Sequence, residues 1–206
     1  MKLRLTRIAV AVLASMIGSL AVHPIVAQSG AGALAPYTSC RFSDGLQVVQ
    51  VDSLPPSVHS RDVETDSGTK QVEPEAGVRV MFSYPGTDFY ANVKAEQLPA
   101  AHYPQLKQIL LDSLQHLAPG NTMNTSLNSP INGLEAHGLD RNKLEGGVLG
   151  VYLLFDSASH VVTTIYFLNQ EPQDRKFQSL DEYRQLREQF LKSYSSCIRK
   201  NQQSSQ

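Results

Sequence analysis

The sequence predicts an α+β fold in which an antiparallel sheet of about six strands is sandwiched between helices. Three observations carry this. Several apolar runs alternate with period two and are joined by short links rich in Gly, Pro, Asp and Ser. Two longer segments repeat apolar residues at three and four positions, the spacing of one helix face. Finally, Val148–Phe155 is apolar on both alternating faces, so it needs cover from both sides.

In chain order, Leu46–Val51 is a first strand, stopped by Pro55-Pro56. Pro55–Gly77 is polar and carries Asp62, Glu64, Asp66, Glu73 and Glu75. It reads as a mobile surface loop, with room for a short strand near Val63. Val78–Ser83 and Phe89–Ala95 flank the turn Tyr84-Pro85-Gly86-Thr87 and form a hairpin. Leu106, Ile109, Leu110, Ser113, Leu114 and Leu117 then mark a helix of about 15 residues, with Pro104 in its first turn and Pro119-Gly120 ending it. Thr122–Leu127 and Gly133–Asn142 read as strands, and Val148–Phe155 pairs with Val161–Leu168 through the loop Asp156–Ser159.

The last helix is announced by Ser179-Leu180-Asp181-Glu182, a capping-box spacing with Ser179 as N-cap and Glu182 reaching back. Tyr183, Leu186, Phe190, Tyr194 and Cys197 line one stripe of that helix, which must dock on the sheet. The organisation expected is therefore a signal peptide (1–27), a flexible leader (28–36), a single α+β domain (37–198) with the polar loop 55–77, and a disordered tail (199–206).

The chain of 206 residues has a formal net charge of −1 and 18% charged residues. It lacks the cluster of Lys and Arg that a nucleic-acid binder needs to neutralise phosphates. Lys2, Arg4 and Arg7 precede the uncharged apolar run Ile8–Val22, followed by His23-Pro24 and by Ile25-Val26-Ala27, which ends in a small residue. This is the order of a secretory signal peptide, cleaved after Ala27 or, as second choice, after Ala33. The run is shorter than the roughly 20 residues of a spanning helix, so no membrane span is expected after cleavage. Losing three cations and no acids takes the mature charge from −1 to −4, which gives no attraction to an anionic membrane. The expected location is secreted or periplasmic.

Two cysteines, Cys40 and Cys197, lie 157 positions apart. Export places them in an oxidising compartment, where an even number reads as a disulfide. No Cys-x-x-Cys spacing and no neighbouring His favour a redox pair or a metal site.

A strand ending in Phe82-Ser83-Tyr84-Pro85 is followed by a helix and by a Gly-rich hairpin through Val148–Leu168. Phe177-x-Ser179 then opens a C-terminal helix with Tyr194 and Ser195-Ser196. Over residues 78–198 this order resembles the PsbP-like fold, an α–β–α sandwich around an antiparallel sheet. That fold occurs in an extrinsic photosystem subunit, in a Ran-binding nuclear transport factor and in exported bacterial proteins. The resemblance implies a non-enzymatic module that binds a partner or assists an assembly. The first strand and the acidic loop match no motif of that fold, and no binding residue transfers from it.

Catalytic motifs are absent: there is no Gly-x-Ser-x-Gly, P-loop, His-Glu-x-x-His or dinucleotide fingerprint. The residues thus assign no catalytic group, no metal and no cofactor, and the leading expectation is a binding or accessory module with a protein partner in the cell envelope. Tyr84, Phe89, Tyr90 and Tyr103 gather around the first hairpin and form an interaction patch if exposed together. Glu135 and His137 share one strand face, with Asp140 and Arg141 following, and make a weak polar site. Two alternatives are carried forward. One is a carrier of a small apolar ligand held between sheet and helix; the other is a hydrolase using Glu135, His137 and Asp140.

Overall fold

The computed structural model describes residues 32–87, 89–118, 123–144, 146–169 and 177–204. The signal peptide and the first part of the leader (28–31) lie outside these residues. The fold is α+β, with a seven-stranded antiparallel sheet packed against helices.

The strands are β1 (Gln47–Ser53), β2 (Arg61–Thr65), β3 (Gly68–Val72), β4 (Ala76–Ser83), β5 (Tyr90–Gln97), β6 (Met123–Asn128), β7 (Glu135–Arg141), β8 (Gly147–Asp156) and β9 (Val161–Asn169). The helices are α1 (Ala35–Thr38), α2 (Tyr103–His116) and α3 (Leu180–Gln203). The main sheet runs β1-β4-β5-β9-β8-β7-β6, and β2-β3 form a separate hairpin. After β5, α2 carries the chain to the β6 edge; a meander then returns through β7 and β8 until β9 closes against β5.

Each face of the sheet has its own core. On one, α3 and α1 cover Val80, Phe82, Val93, Tyr152, Ile165 and Phe167. On the other, α2 and the β2–β3 hairpin cover Leu139, Val151, Leu153, Phe155 and Val162. The central strands β8 and β9 contribute to both cores, as the two-sided apolar pattern of Val148–Phe155 requires.

Helix α3 is capped as its sequence predicts, with Ser179 Oγ accepting from Glu182 N at 3.1 Å. The Glu182 carboxylate accepts from Gln178 N, one residue before the cap (2.8 Å). The disulfide Cys40–Cys197 is present, with Cα atoms 5.7 Å apart, and joins the chain entering β1 to the apolar stripe of α3.

The main sheet has seven strands, in line with the expected six or so, and the β2–β3 hairpin brings the strands among the described residues to nine. Three expectations need correction. The polar segment 55–77 is not a bare loop: it folds as a 3-10 turn (Pro56–His59) and the β2–β3 hairpin, because Val63 and Val72 are buried in the α2-side core. The leader is ordered from residue 32, since Leu34 and Tyr37 are buried and Tyr37 Oη donates to Asp156 at 3.0 Å. The polar tail continues α3 to Gln203, where Arg199 donates to Gly133 O and Gln202 donates to Asp156. Both termini were read as polar and unanchored because their anchors are single residues whose partners are distant in sequence.

Candidate functional site

The aromatic patch does not form as an exposed surface. Tyr84, Phe89 and Tyr103 are buried, and only Tyr90 is half-exposed. Tyr84 and Phe89 pack in the α3-side core, whereas Tyr103 belongs to the α2-side core. Tyr84 and Phe89 lie in the turn between β4 and β5, whereas Tyr103 opens α2, which packs on the opposite side of the sheet.

Glu135 and His137 do meet on one face of β7, with His137 Nε2 2.9 Å from Glu135 Oε1. Lys107 of α2 donates to the other Glu135 oxygen, and its ammonium lies 5.4 Å above the Phe155 ring. Burial raises the Glu135 carboxyl pKa, but the hydrogen bonds from Lys107 and His137 outweigh it, so the net direction is down. Asp140 is not part of this group. It lies an odd number of residues from Glu135, and strand alternation puts it on the α3 side of the sheet.

There Asp140 is the centre of a closed network. Its Oδ1 accepts from Tyr152 Oη (2.8 Å) and Tyr183 Oη (2.7 Å), and its Oδ2 from Arg187 of α3. Tyr152 also shares a 2.6 Å hydrogen bond with Ser126. The Arg187 guanidinium stacks over both tyrosine rings, 5.7 Å from each centroid. Two glycines make the space. A Cβ at Gly150 would stand 2.2 Å from Tyr183 Oη and 2.5 Å from Asp140 Oδ1, and one at Gly138 would strike the Tyr152 ring. Burial drives the Tyr152 and Tyr183 hydroxyls to higher pKa, so both stay protonated donors. The network pins α3 to β7 and β8; sequence reasoning found Asp140 but not its partners, which lie 12 to 47 residues away.

A second buried carboxylate sits on the opposite face. Glu96 of β5 is wholly buried, and its Oε2 takes Arg61 Nη2 at 2.7 Å and Lys94 Nζ at 3.2 Å. His59 Nδ1 stands 3.7 Å from Oε1, which has no hydrogen bond. Burial lowers the Lys94 pKa, with Arg61 and Arg79 adding to the effect and Glu96 opposing it. Burial also lowers that of His59, helped by Lys94.

Two further surfaces stand out. A polar cavity of about 430 Å³ lies beside the disulfide, lined by Arg41, Asp44, Ser193, Ser196 and Lys200 among others. Asp44 is already saturated there by Ser193 Oγ (2.5 Å), Tyr84 Oη (3.0 Å) and Leu46 N (3.2 Å). The other surface is β1. It ends the sheet, so its outer row of backbone groups has no strand partner. Val48, Val49 and Val51 on it are 38%, 58% and 50% exposed, three of the five exposed large hydrophobics among the described residues.

No protein-family model, curated protein or solved structure matches this chain. Among the described residues, no helix is long and apolar enough to cross a membrane.

Proposed function

We propose that this protein is an exported binding or accessory module without catalytic activity of its own, and that it engages a partner polypeptide by strand addition along β1. The observation that carries the reading is the edge itself. Edge strands are ordinarily guarded by Lys, Pro or a bulge; β1, Gln-Val-Val-Gln-Val-Asp-Ser, has no Lys or Pro, carries one irregularity between Val48 and Gln50, and exposes three valines. A strand of this kind adds an extended segment through main-chain hydrogen bonds, with side-chain contacts selecting it. The occupant it suits is an extended, largely uncharged segment rich in β-branched residues, because Asp52 is the only charge the edge presents.

Export is supported by the basic start and apolar run of residues 2–22 and by a disulfide compatible with an oxidising compartment. The resemblance in element order to PsbP-like proteins supports a non-enzymatic role. Neither alternative draws similar support. The hydrolase reading loses Asp140 to the other face of the sheet, and the cavity at the disulfide is lined by polar groups, which suits no apolar cargo.

The test is site-specific photocrosslinking in the native envelope. A photoreactive side chain at Val49 or Val51 should give one discrete adduct with an envelope protein, and the crosslinked peptide should be an extended, uncharged segment. A probe at Leu117, on the α2 side, should not give it. Equal yields from both places, or an adduct only with a second copy of this chain, would overturn the reading.

A further inference from the structure

We propose that the half-buried part of the α2-side sheet face, over β4 and β5, is a binding site for a small oxyanion carrying at least two charges, of the phosphate or polycarboxylate class, held by Arg79, Lys94 and Arg61. The sheet register places Arg79 directly opposite Lys94 on neighbouring strands. Like charges in that position repel, and a sheet gains nothing structural from them. Arg61, from β2, reaches the same place and shares Glu96 Oε2 with Lys94. Three cations therefore converge; the buried Glu96 pairs with Arg61 and Lys94, and Arg79 is the one it does not reach.

The carboxylates nearby do not balance them. Glu96 spends one oxygen on Arg61 and Lys94 together. Asp52 lies across β1 from Arg79 in the register, but both its oxygens accept from the Gln50 amide, at 3.0 and 2.8 Å. Arg79 has no hydrogen-bond or ion-pair partner among the described residues. Counting Glu96 and Asp52 against the three cations leaves one positive charge in excess, before His59 is considered.

Neutral donors complete the surface. Asn92 lies two residues from Lys94 on the same face of β5, and its register partner on β9 is Tyr166. Both are half-buried, and neither side chain has a hydrogen-bond partner among the described residues. The helix on this side of the sheet, α2, packs on β2, β7 and β8, and Arg79, Met81, Asn92 and Lys94 on this face of β4 and β5 are half-buried. Arginine meets an oxyanion in a two-pronged fork and lysine as a point charge, so this set suits a compact ligand with several charged oxygens. The site stands whatever engages the β1 edge.

The experiment is calorimetric titration and thermal melting of the mature protein with pyrophosphate, inorganic phosphate and citrate, against sodium chloride at matched ionic strength. Saturable heat and a rise in melting temperature beyond the chloride control are expected from pyrophosphate or citrate. Response to pyrophosphate and phosphate alone assigns a phosphate ligand; response to citrate alone assigns a carboxylate. Arg79→Gln should weaken binding about tenfold or more. Without anion it should melt at or above the wild-type temperature, because a repulsive contact has gone. Lys94→Met provides a second loss, and the Lys94 Nζ resonance should shift on titration in the wild type. Arg41→Gln, at the disulfide cavity, should bind normally. Absence of saturable binding for every anion would overturn the proposal. So would wild-type affinity in Arg79→Gln, or loss of binding in Arg41→Gln instead.

Discussion

On the α3 side of the sheet, Phe82, Phe89, Phe167, Phe190 and Tyr194 interlock with ring centroids 5.2 to 5.6 Å apart. The polar groups buried on that side are tied to several partners each, as at Asp140 and Asp156. On the α2 side the core is built mostly from aliphatic residues under a shorter helix, and beyond its rim lie Arg79 and Lys94, facing each other across two strands. One face of this sheet is sealed by interlocked rings, while the other carries half-buried cations at its margin, two of them paired with the buried Glu96.

The widest difference between the faces should appear in core truncations. Phe190→Ala removes a ring that contacts Phe82, Phe89, Phe167 and Tyr194, and should cost about 3–5 kcal/mol in denaturant unfolding. Leu106→Ala, buried under α2, should cost about 2–3 kcal/mol. Equal losses would break the comparison. Replacing Cys40 and Cys197 together by Ser should cost about 2–4 kcal/mol and leave the far-ultraviolet spectrum of the sheet unchanged. A variant that lost its sheet signal would show that the bridge does more than tie the ends.

Smaller effects sharpen the contrast. Gly150→Ala pushes a methyl group against Tyr183 Oη and Asp140, and should cost about 1–3 kcal/mol, read as a lower chemical midpoint. The same substitution at Gly45 or Gly86, where nothing lies within 4 Å but φ is positive, tests backbone strain alone.

The weakest expected effect is a pH dependence. Burial raises the Asp156 pKa, but hydrogen bonds from Gln202, Ser159 and Tyr37 and the charge of Arg199 outweigh it, so the folded value lies below that of the unfolded chain. Its contribution is complete above the unfolded carboxylate range, near pH 4, and is lost as pH falls through the folded value. Asp44 follows the same sign: burial opposes ionisation, and Ser193, the Leu46 amide and Tyr84 prevail. Asp156→Asn should flatten the acid limb of a stability-versus-pH curve by about 1–2 kcal/mol. An unchanged limb would remove Asp156 from the set of anchors.

Much of the fold was legible in residue order. The period of two in β4 and β7, the two-sided apolar run of β8 and the capping box of α3 can all be read within a few residues of one another. The site was less so. Glu135 and His137 pair because they are two apart on one strand. Asp140 was grouped with them by proximity in sequence, although strand parity separates it. Arg79 and Lys94 lie on the hairpin that the sequence predicts, but Arg61 joins them only because the separate β2–β3 hairpin packs against β5, a contact that residue order does not signal.

By itself, the sequence determined the α+β class, the position of α3 and its cap, the central hairpin and the pairing of two cysteines. Each follows from local periodicity, from turn chemistry or, for the cysteines, from there being only two. The tertiary structure alone decided that residues 61–72 pack as a hairpin, that both ends of the domain are anchored, and that Asp140 is closed in by Tyr152, Tyr183 and Arg187. It also decided which sheet face is sealed by aromatic rings and that Arg61 reaches Glu96 beside Lys94. These depend on register and on contacts across dozens of residues, and a side chain's neighbours at that range are set by the closing of the whole sheet.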